Sequence, residues 1–306
     1  MASNDNQLEE KQEEVEPIMI LDVNQEELDL NHGRIGKIEN LEPLVQLKRL
    51  YLRWNLIKKI ENLGTLTTLE ELELYDNQIT KIENLEPLSN LIMLDISFNR
   101  LTKIENLDEL SSLQKLFLVS NKIASIENLQ SLSNLTMLEL GDNKIREIKN
   151  LDCLPNLTHL FLGKNKITKI QNLDKLTKLE CLSLQCNRIV KIENLDKLIN
   201  LKELYLSENG IEVIENLDEN KDLETLDLAI NRIKSIENVG HMKELQEFWV
   251  NNNQISAWKC LEQLTGNLKL ETVYLEKNPI ASDIQYRKKI MLTIPWIKKI
   301  DATLCH

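Results

Sequence analysis

The sequence predicts an α/β solenoid, a stack of about twelve coils that share one concave parallel sheet and return through short convex helical turns. An asparagine recurs every 22 residues from Asn55 to Asn253, in nine unbroken steps, within the phrase LxxLxLxxNxI. A second asparagine recurs with the same spacing from Asn40 to Asn238, within IENL or a close variant. A fixed period of this length is the signature of a repeat architecture, in which each coil completes the core of the next.

Each part of the coil follows from its residues. In residues 69–79, LEELELYDNQI, Leu72 and Leu74 alternate with polar residues, which is typical of a short strand with one buried face. Asn77, at the next turn, is expected to bond backbone groups of its own and the adjacent coil. Asn84 precedes LxxL and is expected to cap a short convex helical turn. These parts together define a leucine-rich-repeat solenoid.

The two ends depart from the repeat. The first coil carries Gly33 where the asparagine belongs, and the step from Asn253 to Asn278 lengthens to 25 residues. Terminal repeats are commonly atypical because they close the core. The first 16 residues contain six Asp or Glu and one Lys, a composition that favours disorder. The predicted organisation is an acidic disordered tail at 1–16, the solenoid at 17–278 and a C-terminal cap at 279–306.

Composition narrows the classes of partner. The net charge of -12 argues against nucleic acid and against anionic membranes, since both select basic surfaces, and it favours a protein with a basic patch. No leader segment and no apolar stretch of about 18 residues is found, so we expect a soluble, intracellular protein. Five scattered cysteines are interpreted as reduced thiols.

A search for catalytic and metal-binding motifs finds none. HExxH, GxxxxGK[ST], GxGxxG and GxSxG are all missing. His32 and His159 fall six coils apart, too far to share a metal, and Cys181 with Cys186 is interpreted as a pair of small side chains on a surface strand. The sequence predicts no enzyme, no metal and no cofactor.

The residue between the two strand leucines is predicted to point out of the concave face. We call these twelve residues the concave column: Asp29, Tyr51, Glu73, Asp95, Phe117, Glu139, Phe161, Ser183, Tyr205, Asp227, Trp249 and Tyr274. Six are aromatic and five are acidic, in a chain that is 4% aromatic. Trp54, Tyr75 and Phe98 add exposed rings just before the asparagine. Rings that fill pockets and acids that select basic side chains indicate a protein-binding surface.

The 22-residue step, the KIENL phrase and the NP...YR...P pattern of the cap resemble the regulatory subunit 7 family of protein phosphatase 1, over residues 20–306. The resemblance implies a non-catalytic subunit that binds the phosphatase catalytic subunit on the concave face and controls its activity, maturation and localisation. It further implies stabilisation of an inactive, metal-deficient catalytic subunit, a role in mitosis, a ternary complex with a small inhibitor protein, and residence in nucleus and cytoplasm. The implied contacts are Asp95, Phe117, Glu139, Phe161, Glu247, Trp249 and Tyr274, and more weakly Tyr51, Glu73, Tyr205 and Asp227.

Other functions stay open. Ciliary and spliceosomal scaffolds share this coil type and would use a different concave column. A nucleic-acid role would call for a basic stripe, which the sequence lacks. An enzyme built on the solenoid is the weakest alternative.

Overall fold

A computed structural model describes residues 22–305, in which fourteen short strands form one continuous sheet. The predicted acidic tail at 1–16 lies outside the described residues. Strands β1 to β13 pair in parallel, each with the strand of the next coil, and β14 returns antiparallel to β13. The strands are β1 (Glu27–Asp29), β2 (Arg49–Tyr51), β3 (Glu71–Glu73), β4 (Met93–Asp95), β5 (Lys115–Phe117), β6 (Met137–Glu139), β7 (His159–Phe161), β8 (Cys181–Ser183), β9 (Glu203–Tyr205), β10 (Thr225–Asp227), β11 (Glu247–Trp249), β12 (Thr272–Tyr274), β13 (Lys299–Ile300) and β14 (Thr303–Leu304).

The sheet keeps one register from end to end. Leu50 of β2 faces Leu72 of β3, and Leu72 in turn faces Leu94 of β4. These central leucines are fully buried, as are the leucines and isoleucines that flank the strands from β3 to β10, so a single apolar core runs along the solenoid. The predicted fold and its strand positions are therefore confirmed.

The first asparagine ladder holds adjacent coils together. The Asn77 side-chain oxygen accepts the backbone N–H of Ile57, 3.0 Å away in the preceding coil. Its amide nitrogen donates to the carbonyl of Leu52 at 2.9 Å and to that of Leu74 at 3.1 Å. Because all these groups are buried, the side chain satisfies backbone atoms that would otherwise lack partners. The predicted role of this ladder is confirmed.

The second ladder has a different role from the one predicted. Asn84 has a left-handed backbone with φ of 59°, and its amide donates to the carbonyl of Ile60 at 2.7 Å. A helix cap would instead accept a backbone N–H, so the expectation of a cap is wrong. Asparagine suits the site because it tolerates left-handed backbone better than other residues with a β-carbon.

The convex side consists of turns. The Leu88 N–H donates to the Leu85 carbonyl at 2.9 Å, and the Leu91 N–H donates to the Leu88 carbonyl at 3.0 Å. Most convex segments before Trp258 are likewise pairs of turns closed across three residues. Within residues 22–305, helices are confined to the C-terminal end: two 3-10 helices at Trp258–Gly266 and Pro279–Ser282, and α1 at Tyr286–Thr293. None of the helices in this range has the length and apolar character needed to span a membrane.

The last coil is covered by α1 and β13. Buried isoleucines from this segment, including Ile290 and Ile294, pack on the core. Asp301 accepts the backbone N–H groups of Leu275 and Glu276 at 2.8 and 2.9 Å. The Tyr286 hydroxyl donates to the same carboxylate at 3.1 Å. A carboxylate and a short helix therefore close the end of the solenoid.

Two of the five cysteines, Cys181 and Cys186, differ from their predicted placement. All five are free thiols. Cys181 opens β8 with its side chain buried, and burial raises its pKa to about 12. Cys186 lies past the strand, in a left-handed turn with φ of 54°. The expectation that both lie on a surface strand is wrong, because the turn begins before Cys186.

Candidate functional site

The concave column is continuous in three dimensions. Each of its twelve members is the third residue of a strand from β1 to β12, and the register places consecutive members side by side. Asp95 neighbours Phe117, and Glu139 lies between Phe117 and Phe161. The seven main predicted contacts therefore fall into a central group on β4 to β7 and a C-terminal group on β11 and β12. The four weaker ones lie on β2, β3, β9 and β10.

The central group contains two partly desolvated carboxylates. Burial raises the pKa of Asp95, and a hydrogen bond from the Ser97 backbone N–H, 2.8 Å long, partly opposes that rise. Burial likewise raises the pKa of Glu139, with repulsion from Asp95 as the second cause. In the described part of the chain, no hydrogen bond to the Glu139 carboxylate is found. The ionised side chain of Glu139 thus lacks an internal partner, and a cationic group of another protein could supply one.

The C-terminal group is an aromatic cluster. The ring of Trp249 lies 6.5 Å from that of Tyr205 and 5.9 Å from that of Tyr274, where it meets the edge. Glu247 is the first residue of the same strand as Trp249. The Lys299 ammonium lies 5.4 Å from the centre of the Tyr274 ring. Sequence reasoning missed Lys299 because it belongs to the capping segment, outside the repeat.

Three members of the column are buried, so the expectation that the whole column is exposed is wrong for them. Glu73 is 5% exposed, Ser183 is 2% exposed and Asp227 is 6% exposed. Arg53 forms an ion pair with Glu73, and Asp227 accepts the Ala229 backbone N–H at 2.9 Å. Because both side chains are almost fully buried, unlike Asp95, Glu73 and Asp227 are poorly placed to contact a partner directly.

A second set of rings lies beside the column, where the strands end. We call His32, Trp54, Tyr75 and Phe98 the aromatic arc. His32 stacks on Trp54 at 4.4 Å, Trp54 meets Tyr75 edge-on at 5.6 Å, and Tyr75 contacts Phe98 at 4.8 Å. The sequence identified three of these rings as exposed, and the structure shows that they touch one another.

The arc ends at an open pocket of about 350 Å³, which we call the glycine pocket. Gly141 and Gly163 line it without side chains. Its walls come from Phe98, Val119, Ser120, Glu139, Asp142, Phe161, Lys164, Ser183 and Gln185. The pocket therefore combines apolar rings with two carboxylates and one ammonium group. Among residues 22–305, no three His, Cys, Asp or Glu side chains converge on a site that could hold a metal.

Several curated proteins match one part of the chain. Protein phosphatase 1 regulatory subunit 7 of Homo sapiens is 59% identical over 49 residues, which is 16% of this chain and 14% of that protein. The protein of the same name from Bos taurus is 60% identical over 49 residues, with the same shares covered. The chain thus matches about one seventh of the length of these relatives.

Solved structures match nearly the whole chain at low identity. An internalin of Listeria monocytogenes has a TM-score of 0.73 and 24% identity, over 91% of this chain and 87% of its own. A leucine-rich-repeat protein of Leptospira interrogans has a TM-score of 0.71 and 25% identity, over 85% of this chain and 73% of its own. These likenesses show the fold.

The repeat itself matches a known family. The sequence profile described as Leucine Rich repeats (2 copies) matches four consecutive segments, 67–109, 111–153, 155–197 and 199–241. Together they cover more than half of the 306 residues. The chain belongs to the leucine-rich-repeat family.

Proposed function

We propose that the chain is a non-catalytic regulatory subunit that binds the catalytic subunit of protein phosphatase 1 on its concave face and controls its activity. The observation that carries the proposal is the central group of the column, where Asp95, Phe117, Glu139 and Phe161 alternate on adjoining strands. The name shared by its local relatives, protein phosphatase 1 regulatory subunit 7, supplies the partner.

The chemistry of the central group fits a basic, folded partner. The ionised carboxylates of Asp95 and Glu139 are partly desolvated, since burial raises both pKa values. A lysine or arginine of the partner would offset that cost, and the neighbouring rings would fill apolar pockets.

The C-terminal group makes a second contact. Six strand steps separate β5, which carries Phe117, from β11, which carries Trp249, or about 29 Å at the usual strand spacing. A partner that touches both groups must span that distance, which a folded catalytic domain does. Tyr274 and Glu247 would extend this contact beside Trp249.

Binding would act on the maturation of the partner. Following the family resemblance, the chain holds an inactive, metal-deficient catalytic subunit, and a small inhibitor protein shares the complex. The same proposal places the chain in nucleus and cytoplasm and gives it a role in mitosis. Fluorescent tagging of the full chain through the cell cycle tests these locations.

Calorimetry with purified full-length chain and purified catalytic subunit tests the central proposal. We expect the double variant Phe161→Ala with Trp249→Ala to bind at least about a hundredfold more weakly than wild type, because it removes one ring from each group. Ile199→Ala, which trims an exposed apolar side chain on the convex turns, is the matched control and should bind like wild type. Circular dichroism must show that all variants remain folded.

Two results would contradict the proposal. If wild type fails to bind the catalytic subunit, the partner is wrong, and a ciliary or spliceosomal scaffold of the same fold becomes the better interpretation. If the double variant binds as tightly as wild type, the partner is right and the concave column is the wrong surface.

A further inference from the structure

The exposed rings of the aromatic arc do not contribute to the apolar core of the solenoid. Trp54 is 42% exposed and Phe98 is 43% exposed, although both are large apolar residues. Both also adopt left-handed backbone, with φ of 53° and 55°, which is unfavourable for a residue with a β-carbon. Other coils place Ser120 and Asp142 at the equivalent position, with the same backbone. The repeat therefore accepts polar residues there, and the rings at this edge point to a ligand.

The arc and the glycine pocket are continuous, because Phe98 belongs to both. Gly163 shapes the pocket, because a β-carbon there would lie 3.0 Å from the Gln185 side chain. Two carboxylates line it, Glu139 and Asp142, and one ammonium, that of Lys164. Asp142 also accepts a hydrogen bond from the Ser120 hydroxyl at 2.6 Å. The two carboxylates and one ammonium group leave the pocket with a net negative charge, so it suits a cation next to apolar rings.

We propose that the arc and the glycine pocket form one groove that binds an extended segment of a protein partner, with apolar side chains on the arc and an arginine in the pocket. Arginine fits because its planar guanidinium stacks on rings such as Phe161 and pairs with a carboxylate such as Glu139. Trp54 and Phe98 lie outside the concave column, so the arc is separate from the proposed phosphatase contact. Glu139 and Phe161 belong both to the pocket and to the central group, so a bound segment and the phosphatase would share these two side chains.

The repeat sets the spacing of the segment. From Phe98 beside β4 to Glu139 on β6 is two strand steps, or about 10 Å. An extended segment crossing the strands covers that distance with about three residues. The groove thus selects an apolar residue about three positions away from an arginine, with further apolar residues continuing toward His32.

Selection from a phage-displayed library of random dodecapeptides on the full chain tests this inference. We expect enriched peptides to share an arginine and an apolar residue about three positions apart. A synthetic peptide of the enriched sequence should bind at least about tenfold more weakly to Trp54→Ser and to Phe98→Ser. Ile230→Ser is the matched control, because Ile230 is 47% exposed with φ of 54° at the equivalent position of a distant coil. Its binding should equal that of wild type.

The pocket is tested from both sides. Replacing the peptide's arginine by alanine should weaken binding to wild type, and Glu139→Gln should weaken the arginine peptide more than the alanine peptide. The inference is overturned if no such peptides are enriched, or if they bind Trp54→Ser and Phe98→Ser as well as wild type. The comparison of the arginine and alanine peptides uses wild-type protein, so it tests the pocket even if one protein variant unfolds. Because no phosphatase is present, the outcome is independent of the proposed function.

Discussion

At the scale of the residue, the asparagines of the first ladder hold adjacent coils together. In the sixth coil, the Asn143 side chain accepts the Ile123 backbone N–H at 3.0 Å and donates to the carbonyls of Leu118 and Leu140 at 2.9 and 3.1 Å. All of these groups are buried, and water cannot replace the side chain without entering the core.

We expect Asn143→Ala to lower the free energy of unfolding by about 3 kcal/mol, since several buried backbone groups lose their partner together. Asn134→Ala is the control, because Asn134 makes one exposed hydrogen bond to the Ser111 carbonyl at 2.9 Å. That variant should lose less than about 1 kcal/mol. Urea denaturation measures both values. Equal losses would show that the ladder does not stabilise the solenoid as described.

Glu139 is a residue whose charge opposes folding. Its pKa is raised by burial first and by repulsion from Asp95 second. The folded state therefore holds the proton more tightly than the unfolded chain does. The ionised carboxylate destabilises the fold at pH values above the raised pKa, and this effect disappears as the pH falls through that value.

We expect Glu139→Gln to be at least as stable as wild type near neutral pH. The difference should vanish as the pH falls well below the ordinary glutamate pKa of about 4.3, where the carboxyl is protonated in both the folded and the unfolded state. The same variant should bind the phosphatase catalytic subunit about tenfold more weakly, because one charge pair is lost. Glu109→Gln removes an exposed convex carboxylate and should change neither property. A large loss of stability in Glu139→Gln would mean that the carboxylate is structural.

At the scale of the coil, left-handed turns explain the second ladder. Asn128 has φ of 59°, and its amide donates to the Ile104 carbonyl at 2.7 Å. Both Asn128→Gly and Asn128→Ala remove that hydrogen bond, but alanine also pays for left-handed backbone. We expect the alanine variant to be less stable than the glycine variant by about 1 kcal/mol in urea denaturation. The reverse order would mean that the backbone conformation does not select asparagine there.

The roles of the two asparagine ladders were not equally predictable from the sequence. The role of Asn77 was predictable, because a buried amide beside a strand end has few possible partners. The role of Asn84 was not, since helix caps and left-handed turns both favour asparagine. Only the backbone angle and the direction of the hydrogen bond distinguish the two.

At the scale of the molecule, a strict period made the concave column predictable. One position per coil, read along the chain, gives residues that the register places side by side. The burial of Glu73 was not predictable, because Glu73 pairs with Arg53, a side chain from another position of the repeat. The contacts within the aromatic arc were not predictable from one position per coil, because Tyr75 and Phe98 touch although they occupy different positions in their coils.

Hydroxyl-radical footprinting of the full chain, with and without the phosphatase catalytic subunit, tests the central claim most directly, because aromatic side chains on both groups of the column report their own exposure. The account predicts that the partner protects Phe117 and Phe161 in the central group and Trp249 and Tyr274 in the C-terminal group. Modification of convex side chains such as Ile199 should stay unchanged. Protection confined to the convex turns, or unchanged modification of all four rings in a complex known to form, would contradict it.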